Sequence, residues 1–241
     1  MHNDLTHDTF FNGKLSIKQA RKGYRFSIDA VILASSLRPR PHERIVDLGT
    51  GCGVVPLMVA WRHPQTVLFG VEIQKELVDI ARLNVVENGL TETIEVICDD
   101  IRSVRPGRFR GPVDCVVSNP PFRRAASGRI NPNAQRAIAR HEIQVTLPVL
   151  IQTASRLLRT AGQFMIVFTS ERLVELIHEM RTYHLEPKSV RFIHARPDRE
   201  SKMVMMTGVK RGKPGLRIGA PIFVYKPDGR YSDEVERMFR P

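Results

Sequence analysis

Asn119-Pro120-Pro121-Phe122 is the part of this 241-residue chain whose residue types most directly suggest chemistry. It follows Val113-Asp114-Cys115-Val116-Val117-Ser118, a run of β-formers that reads as a buried parallel strand. Proline has no N–H for a strand ladder, and two in succession fix φ twice, so the strand must stop here in a rigid corner. The corner presents a side-chain amide, a proline carbonyl with no strand partner, and an aromatic ring. Those groups suit a flat substrate bearing an NH2. If Asn119 and the Pro120 carbonyl each accept one N–H, the nitrogen is held pyramidal with its lone pair aimed outward. Phe122 can stack on a base, a contact worth on the order of 1–3 kcal/mol. Taken alone, the same four residues equally describe a proline-rich turn whose Asn caps the next segment.

The second chemical feature is Asp47-Leu48-Gly49-Thr50-Gly51-Cys52-Gly53, in which a strand runs into a glycine-rich turn that opens a helix reaching about Arg62. Glycines let the backbone approach a ligand, and the helix start offers unpaired N–H groups. The dinucleotide fingerprint places Gly at the first, third and sixth positions. Here the glycines alternate, and an acid two residues before the first would repel phosphate but suit a ligand with a positive amino group. Val67–Glu72 reads as the next strand, ending in an acid 19 residues after Gly53, close to the spacing at which a carboxylate takes ribose hydroxyls. A third strand, from Thr93 to Cys98, leads to Asp99 and Asp100, either of which can accept from an adenine amino group.

The remaining elements carry these corners. The pattern predicts a helical apolar run from Ala30 to Leu37 with Ser27 as its N-cap, and a helix from about Gln74 to Glu87 closed by Asn88-Gly89. A helix is expected over Thr146–Arg159, separated by Gly162 from a strand at Phe164–Phe168, and another helix at about Glu171–Tyr183. Strands near Ser189–Ala195 and Lys202–Gly208, joined by a polar turn, form a hairpin. The C-terminal Leu216–Tyr225 run ends in a turn, followed by a short helix from about Asp233. Residues up to about Phe11 read as polar and loose. The Arg-rich stretch from Arg123 to about Ile143 reads as a long loop, its position suggesting a grip on phosphate.

Thirty-seven Lys and Arg against 25 Asp and Glu give a net charge of +12, which favours a polyanionic partner, and nucleic acid over a membrane surface. The apolar stretch near Val54–Trp61 is far shorter than the roughly 20 residues of a membrane span. Three cysteines, Cys52, Cys98 and Cys115, without metal spacing read as reduced core thiols of a cytoplasmic protein, with no metal site.

The alternation of strands and helices, with Asp47-x-Gly49-x-Gly51-x-Gly53, Glu72, Asp100 and Asn119-Pro120-Pro121-Phe122 ending successive strands, resembles the S-adenosylmethionine-dependent amino-methyltransferases. Gly23-Tyr24-Arg25-Phe26-Ser27-x-Asp29-Ala30-Val31, Ser127–Pro132, Ala139–Glu142 and Pro221–Tyr225 narrow the resemblance to the bacterial valine-tRNA adenine-N6 methyltransferase family. The resemblance implies an α/β, Rossmann-like, seven-stranded, mostly parallel sheet with helices on both faces and an antiparallel C-terminal hairpin. It implies one domain over residues 1–241, a cofactor-covering segment at 1–40 and a C-terminal appendage at 213–241. S-adenosylmethionine would be held by Tyr24, Arg25, Phe26, Asp29, Asp47, Gly49, Gly51, Gly53, Glu72, Asp100 and Asn119. Asn119, Pro120 and Phe122 would bind and orient the target amine. Phe122, Arg123, Arg124, Arg129 and Arg140 would hold tRNA. Asp99 departs from the small residue usual before the acid, so Asp99 and Asp100 both stay open as the adenine contact. The expected activity is methylation of an adenine N6 in tRNA beside the anticodon. Protein-glutamine methylation, DNA adenine methylation and a non-catalytic RNA-binding module are the alternatives.

Overall fold

The computed structural model describes residues 5–21, 25–120 and 146–240. Its frame is a sheet in which β3 (Arg44–Leu48), β4 (Val67–Glu72), β5 (Ile94–Cys98), β6 (Val113–Ser118) and β7 (Leu158–Thr169) run parallel. Next to β7 lies β9 (Ser201–Lys210), antiparallel to both β7 and β8 (Leu185–His194). The order β8-β9-β7-β6-β3-β4-β5 contains the seven expected strands and the expected hairpin. Two short strands, β10 (Arg217–Ile218) and β11 (Ile222–Phe223), add to the outer edge of β8.

Helices α1 (Ile28–Ser36), α2 (Val54–Arg62) and α3 (Lys75–Glu87) share one apolar core with the sheet, whereas α4 (Leu147–Leu157) and α5 (Leu173–Thr182) share the other. The sheet is thus covered on both faces, which is why its central strands read as continuous apolar runs rather than alternating ones. Strand order reverses at β3, where the chain first builds outward through β4 and β5 and then returns to β6 on the other side. The register pairs Asp47 with Val117, which brings the carboxyl ends of β3 and β6 together at that reversal. Ligands of open α/β sheets bind at this switch point.

Three local expectations are corrected. The segment up to Phe11 is not loose: β1 (Leu5–Phe10) pairs antiparallel with β2 (Leu15–Ala20), and Phe10, Phe11, Leu15 and Ile17 are buried. β1 is half-buried to exposed until Phe10, which gives it its polar appearance, while its partner β2 alternates buried with half-buried residues along its length. Gly162 does not separate helix from strand; α4 passes directly into β7 at Leu158, and Gly162 lies within the strand. A Cβ there would meet the Arg159 carbonyl at 2.9 Å and the Asp114 carbonyl at 3.1 Å, so glycine is selected by close backbone approach. Cys98 is exposed at the end of β5, unlike the buried Cys52 and Cys115.

The hairpin β1–β2 is fastened to α3 by two asparagines four residues apart. Asn84 Oδ1 accepts from Lys18 N at 2.8 Å, and its Nδ2 donates to the Lys18 carbonyl at 2.8 Å. Asn88 treats Ser16 alike, at 2.9 and 2.6 Å. One helical turn, about 6 Å, nearly matches the two-residue repeat of a strand, so two side-chain amides substitute for a neighbouring strand on the open edge of β2. The last helix, α6 (Asp233–Met238), joins the same core, and the ring of Phe239 stacks on Phe10 at 5.5 Å.

Candidate active site at the carboxyl edge of the sheet

The turn after β3 carries the glycines at φ +79° (Gly49), +58° (Gly51) and +88° (Gly53). Gly49 and Thr50 both donate to the Val71 carbonyl, at 2.9 and 3.0 Å, so the turn hangs from the end of β4. A Cβ on Gly49 would meet nothing within 4 Å. The left-handed backbone demands glycine there, and the space above it is open to a ligand.

Asn119 and Gly49 line one recess together with Asp47, Thr50, Cys52, Phe26 and Ala30. The Asn-Pro corner and the glycine turn, 70 residues apart in the chain, therefore face the same space. Ser118 fixes the junction: its hydroxyl donates to the Leu48 carbonyl at 2.7 Å, tying the end of β6 to the end of β3. Among the described residues, neither the Asn119 side chain nor the Pro120 carbonyl has a hydrogen-bond partner.

Asp47 is buried beneath this turn, and among the described residues no cation pairs with it. Burial, with the nearby Glu72 carboxylate adding to it, pushes its carboxyl up to about 7. The Thr50 hydroxyl lies near enough to offset a little of that rise, yet it makes no hydrogen bond of good geometry. A buried acid raised in this way would be favoured in its ionised form by a positive group placed beside it.

Glu72 is equally buried but fully engaged. Its Oε2 accepts from Gly51 N at 3.1 Å, and its Oε1 from Ile73 N and Gln74 N, both at 2.9 Å. Each carboxylate oxygen offers about two acceptor sites, so Oε2, with one donor among the described residues, retains one. Asp100 is bound by Arg102: Nε and the backbone N of Arg102 donate at 2.9 and 2.8 Å. The guanidinium holds the Asp100 carboxyl below the usual carboxylate range, so it stays an acceptor. Asp99 Oδ1 accepts from Asp100 N and from the Ser103 hydroxyl.

Of the N-terminal residues, Phe26 lines the recess and its N accepts orientation from Gln19, donating to Gln19 Oε1 at 3.2 Å. Arg25 turns instead to the hairpin, donating to the Thr6 hydroxyl at 2.6 Å and pairing with Asp8. Asp29 accepts from the Ser27 hydroxyl at 2.7 Å; Ser27 stands at the N-cap position without bonding a backbone N–H. Tyr24, Phe122, Arg123, Arg124, Arg129 and Arg140 lie outside the described residues. Sequence reasoning missed Asn84, whose Nδ2 also donates to the Cys52 carbonyl at 2.9 Å and so supports the glycine turn from behind. Its signal was present, as a polar residue on the apolar face that carries Leu77, Ala81 and Val85. Among the described residues no group of three His, Cys, Asp or Glu could hold a metal, and no helix is long and apolar enough to cross a membrane.

Comparison with known proteins adds what geometry alone does not. The profile of the family described as methyltransferase small domain matches residues 25–185. A Porphyromonas gingivalis protein named tRNA1(Val) (adenine(37)-N6)-methyltransferase is 28% identical over 97% of this chain and 94% of its own. A protein of the same name from Tolumonas auensis is 33% identical over 67% of this chain and 66% of its own. Among solved structures, a predicted O-methyltransferase from Agrobacterium tumefaciens superposes with a TM-score of 0.70 at 22% identity, covering 87% of this chain and 94% of that one.

Proposed function

The chain belongs to the methyltransferase small domain family, and from that premise we propose that it transfers a methyl group from S-adenosylmethionine to the exocyclic N6 of an adenine in tRNA, beside the anticodon, in the cytoplasm. The observation that carries the reading is the shared recess: Asn119 and Gly49 face one space at the switch point of the sheet. The names of the curated relatives supply the substrate class.

The residues present fit the cofactor. Asp47, buried without a cation, suits an amino group; the open space over Gly49 admits an amino-acid moiety against the backbone; Glu72 Oε2 keeps a site for a ribose hydroxyl; and Asp100, kept ionised by Arg102, can accept from an adenine amino group. When bound, S-adenosylmethionine supplies an electrophilic methyl group on a sulfonium. Asn119 Oδ1 and the Pro120 carbonyl each accept an N–H of the target amine, which withdraws its lone pair from the ring and points it into the recess. Catalysis here is mostly positioning, because a fixed approach replaces the entropy of a bimolecular encounter. No strong base is needed beforehand: as the N–C bond forms the S–C bond breaks to leave a neutral thioether, and the nitrogen, acidic only once alkylated, gives its proton to solvent. Phe122 would stack on the base, and Arg123, Arg124, Arg129 and Arg140 would hold the RNA strand. An anticodon loop is already unpaired, which lowers the cost of turning a base outward.

The test is transfer of labelled methyl into total tRNA from a strain lacking this protein, followed by nucleoside analysis. N6-methyladenosine is expected. Label in protein from RNase-treated extract, or in DNA instead of tRNA, would overturn the substrate. Asn119→Ala should remove transfer while cofactor affinity stays within a few fold.

A further inference from the structure

A second concave surface lies at the far end of α1. Its walls are the carboxyl end of α1 with Arg38, the end of α2 with Arg62 and His63, and α6 with its tail, bearing Arg237 and Arg240; its floor is the exposed face of β7, β9 and β8. The groove encloses about 690 Å³, a size usual for small-molecule pockets. Such pockets are mostly apolar, whereas here five arginines and a histidine surround one carboxylate. That carboxylate, Glu234, is already paired with Arg191 at 2.9 Å.

The other arginines have no such balance within the groove. Arg38 Nη1 donates to the backbone carbonyls of Ser35 and Leu37, at 2.6 and 2.7 Å. Arg62 donates to the Ser35 hydroxyl and the Met238 carbonyl, at 2.7 and 2.6 Å, also neutral groups. The Arg237 guanidinium has no hydrogen-bond or ion-pair partner among the described residues. Two acids lie along α6 beside these arginines: Glu236 meets Arg240 at 3.5 Å, and the Arg237 charge helps hold the Asp233 carboxyl down from one turn away. Like charge is crowded enough that Arg62 is lowered by its burial and by Arg38, and His63 by burial, Arg38 and Arg62. Guanidinia in excess of carboxylates, gathered in a polar trough, suit the recognition of phosphate.

We propose that this groove binds phosphates of the tRNA backbone away from the target adenine, as a second anchoring surface for the substrate. The inference rests on the reading of the chain as a tRNA methyltransferase. Helix α1 joins the two places: Ala30 near its start lines the recess and Ser36 at its end lines the groove. Six residues of helix set them about 9 Å apart, close enough for one RNA to reach both.

The experiment uses the full chain with Arg38→Ala/Arg237→Ala, two exposed residues of which Arg38 also bonds the Ser35 and Leu37 carbonyls at the end of α1, and a control pair outside the groove, Lys75→Ala/Arg181→Ala. Binding to a transcribed tRNA is followed by fluorescence anisotropy between 50 and 300 mM KCl, and unchanged melting confirms the fold. The groove pair should bind on the order of tenfold more weakly near physiological salt, and its slope of log K against log salt should flatten by about one to two. The control pair should fall clearly less. Unchanged affinity and slope, or an equal loss in the control pair, overturns the groove while leaving Asn119 to its own assay. Binding to phosphatidylglycerol-containing vesicles that the groove pair loses, with tRNA binding intact, overturns it as well. Groove-dependent tRNA binding without methyl transfer would support the groove and sink the enzymatic reading.

Discussion

Changing the pH around Asp47 probes the cofactor site through a group that folding leaves uncomfortable. In the free protein its carboxyl titrates at about 7 instead of 3.8. An ammonium group placed against it should restore the ionised form and bring the bound pKa well down from that of the free protein. Affinity then scales with the ionised fraction of the free protein. At pH 8 that fraction is nearly complete, whereas at pH 5, two units below 7, it is about one in a hundred. The dissociation constant of S-adenosylmethionine should therefore rise about a hundredfold from pH 8 to pH 5, or roughly 2.7 kcal/mol at 1.36 kcal/mol per unit. Stability of the free protein runs the opposite way. Between about 3.8 and 7 the folded state binds a proton that the unfolded state has released, so stability is greatest below that window and declines as pH rises through it. Three units set the upper bound at about 4 kcal/mol. Asp47→Asn should accordingly melt several degrees higher at pH 8 without cofactor, and bind cofactor poorly and with little pH dependence. Calorimetric titration at pH 5, 6, 7 and 8 decides the matter. A dissociation constant that stays level across that range in the unmodified protein would refute the assignment of Asp47 to a cationic group.

Asn84→Ala removes three hydrogen bonds of a fully buried side chain, two with the Lys18 backbone and one with the Cys52 carbonyl, and should cost about 2–4 kcal/mol by denaturant titration. Amide exchange at Lys18 should quicken in the same variant; a wild-type rate would show that the asparagine does not hold the hairpin. Gly49→Ala puts a side chain on a left-handed backbone, a strain of about 1–2 kcal/mol, and should weaken cofactor binding by more than that because its methyl enters the open space. Equal losses in stability and in affinity would place the ligand elsewhere. Asp100→Asn should weaken cofactor binding more than Asp99→Asn, and the reverse order in calorimetry would move the adenine contact to Asp99.

The parts of the site written as strand endings were legible beforehand. Val67–Glu72 and Val113–Ser118 keep the bounds that apolar runs and terminal acids or prolines gave them, because a fully buried parallel strand has little choice in where its polar residues fall. What escaped was made by contacts across long sequence distances. The β1–β2 hairpin looks loose because its stabilising partners, Asn84 and Asn88, lie more than 60 residues away. Gly162 looks like punctuation because nothing nearby in the chain reveals the Asp114 carbonyl packed against it. The pairing of Arg25 with Asp8 and Thr6 was likewise unreadable, because it joins residues 17 and 19 apart across the end of a hairpin.

The asparagine clasp on β2 also bears on how the protein ages. Asn88 precedes Gly89, a pairing prone to spontaneous loss of ammonia when the glycine nitrogen attacks the side-chain amide. Here that amide is pinned to Ser16 and to the Asn84 carbonyl, and the Gly89 nitrogen donates to the Val86 carbonyl, so neither reactant is free to meet the other. Were the conversion to happen in an opened molecule, the new carboxylate would confront the Ser16 carbonyl where a donor had been, and the hairpin could not close as before. Folding thus shields the bond whose chemical decay would undo it.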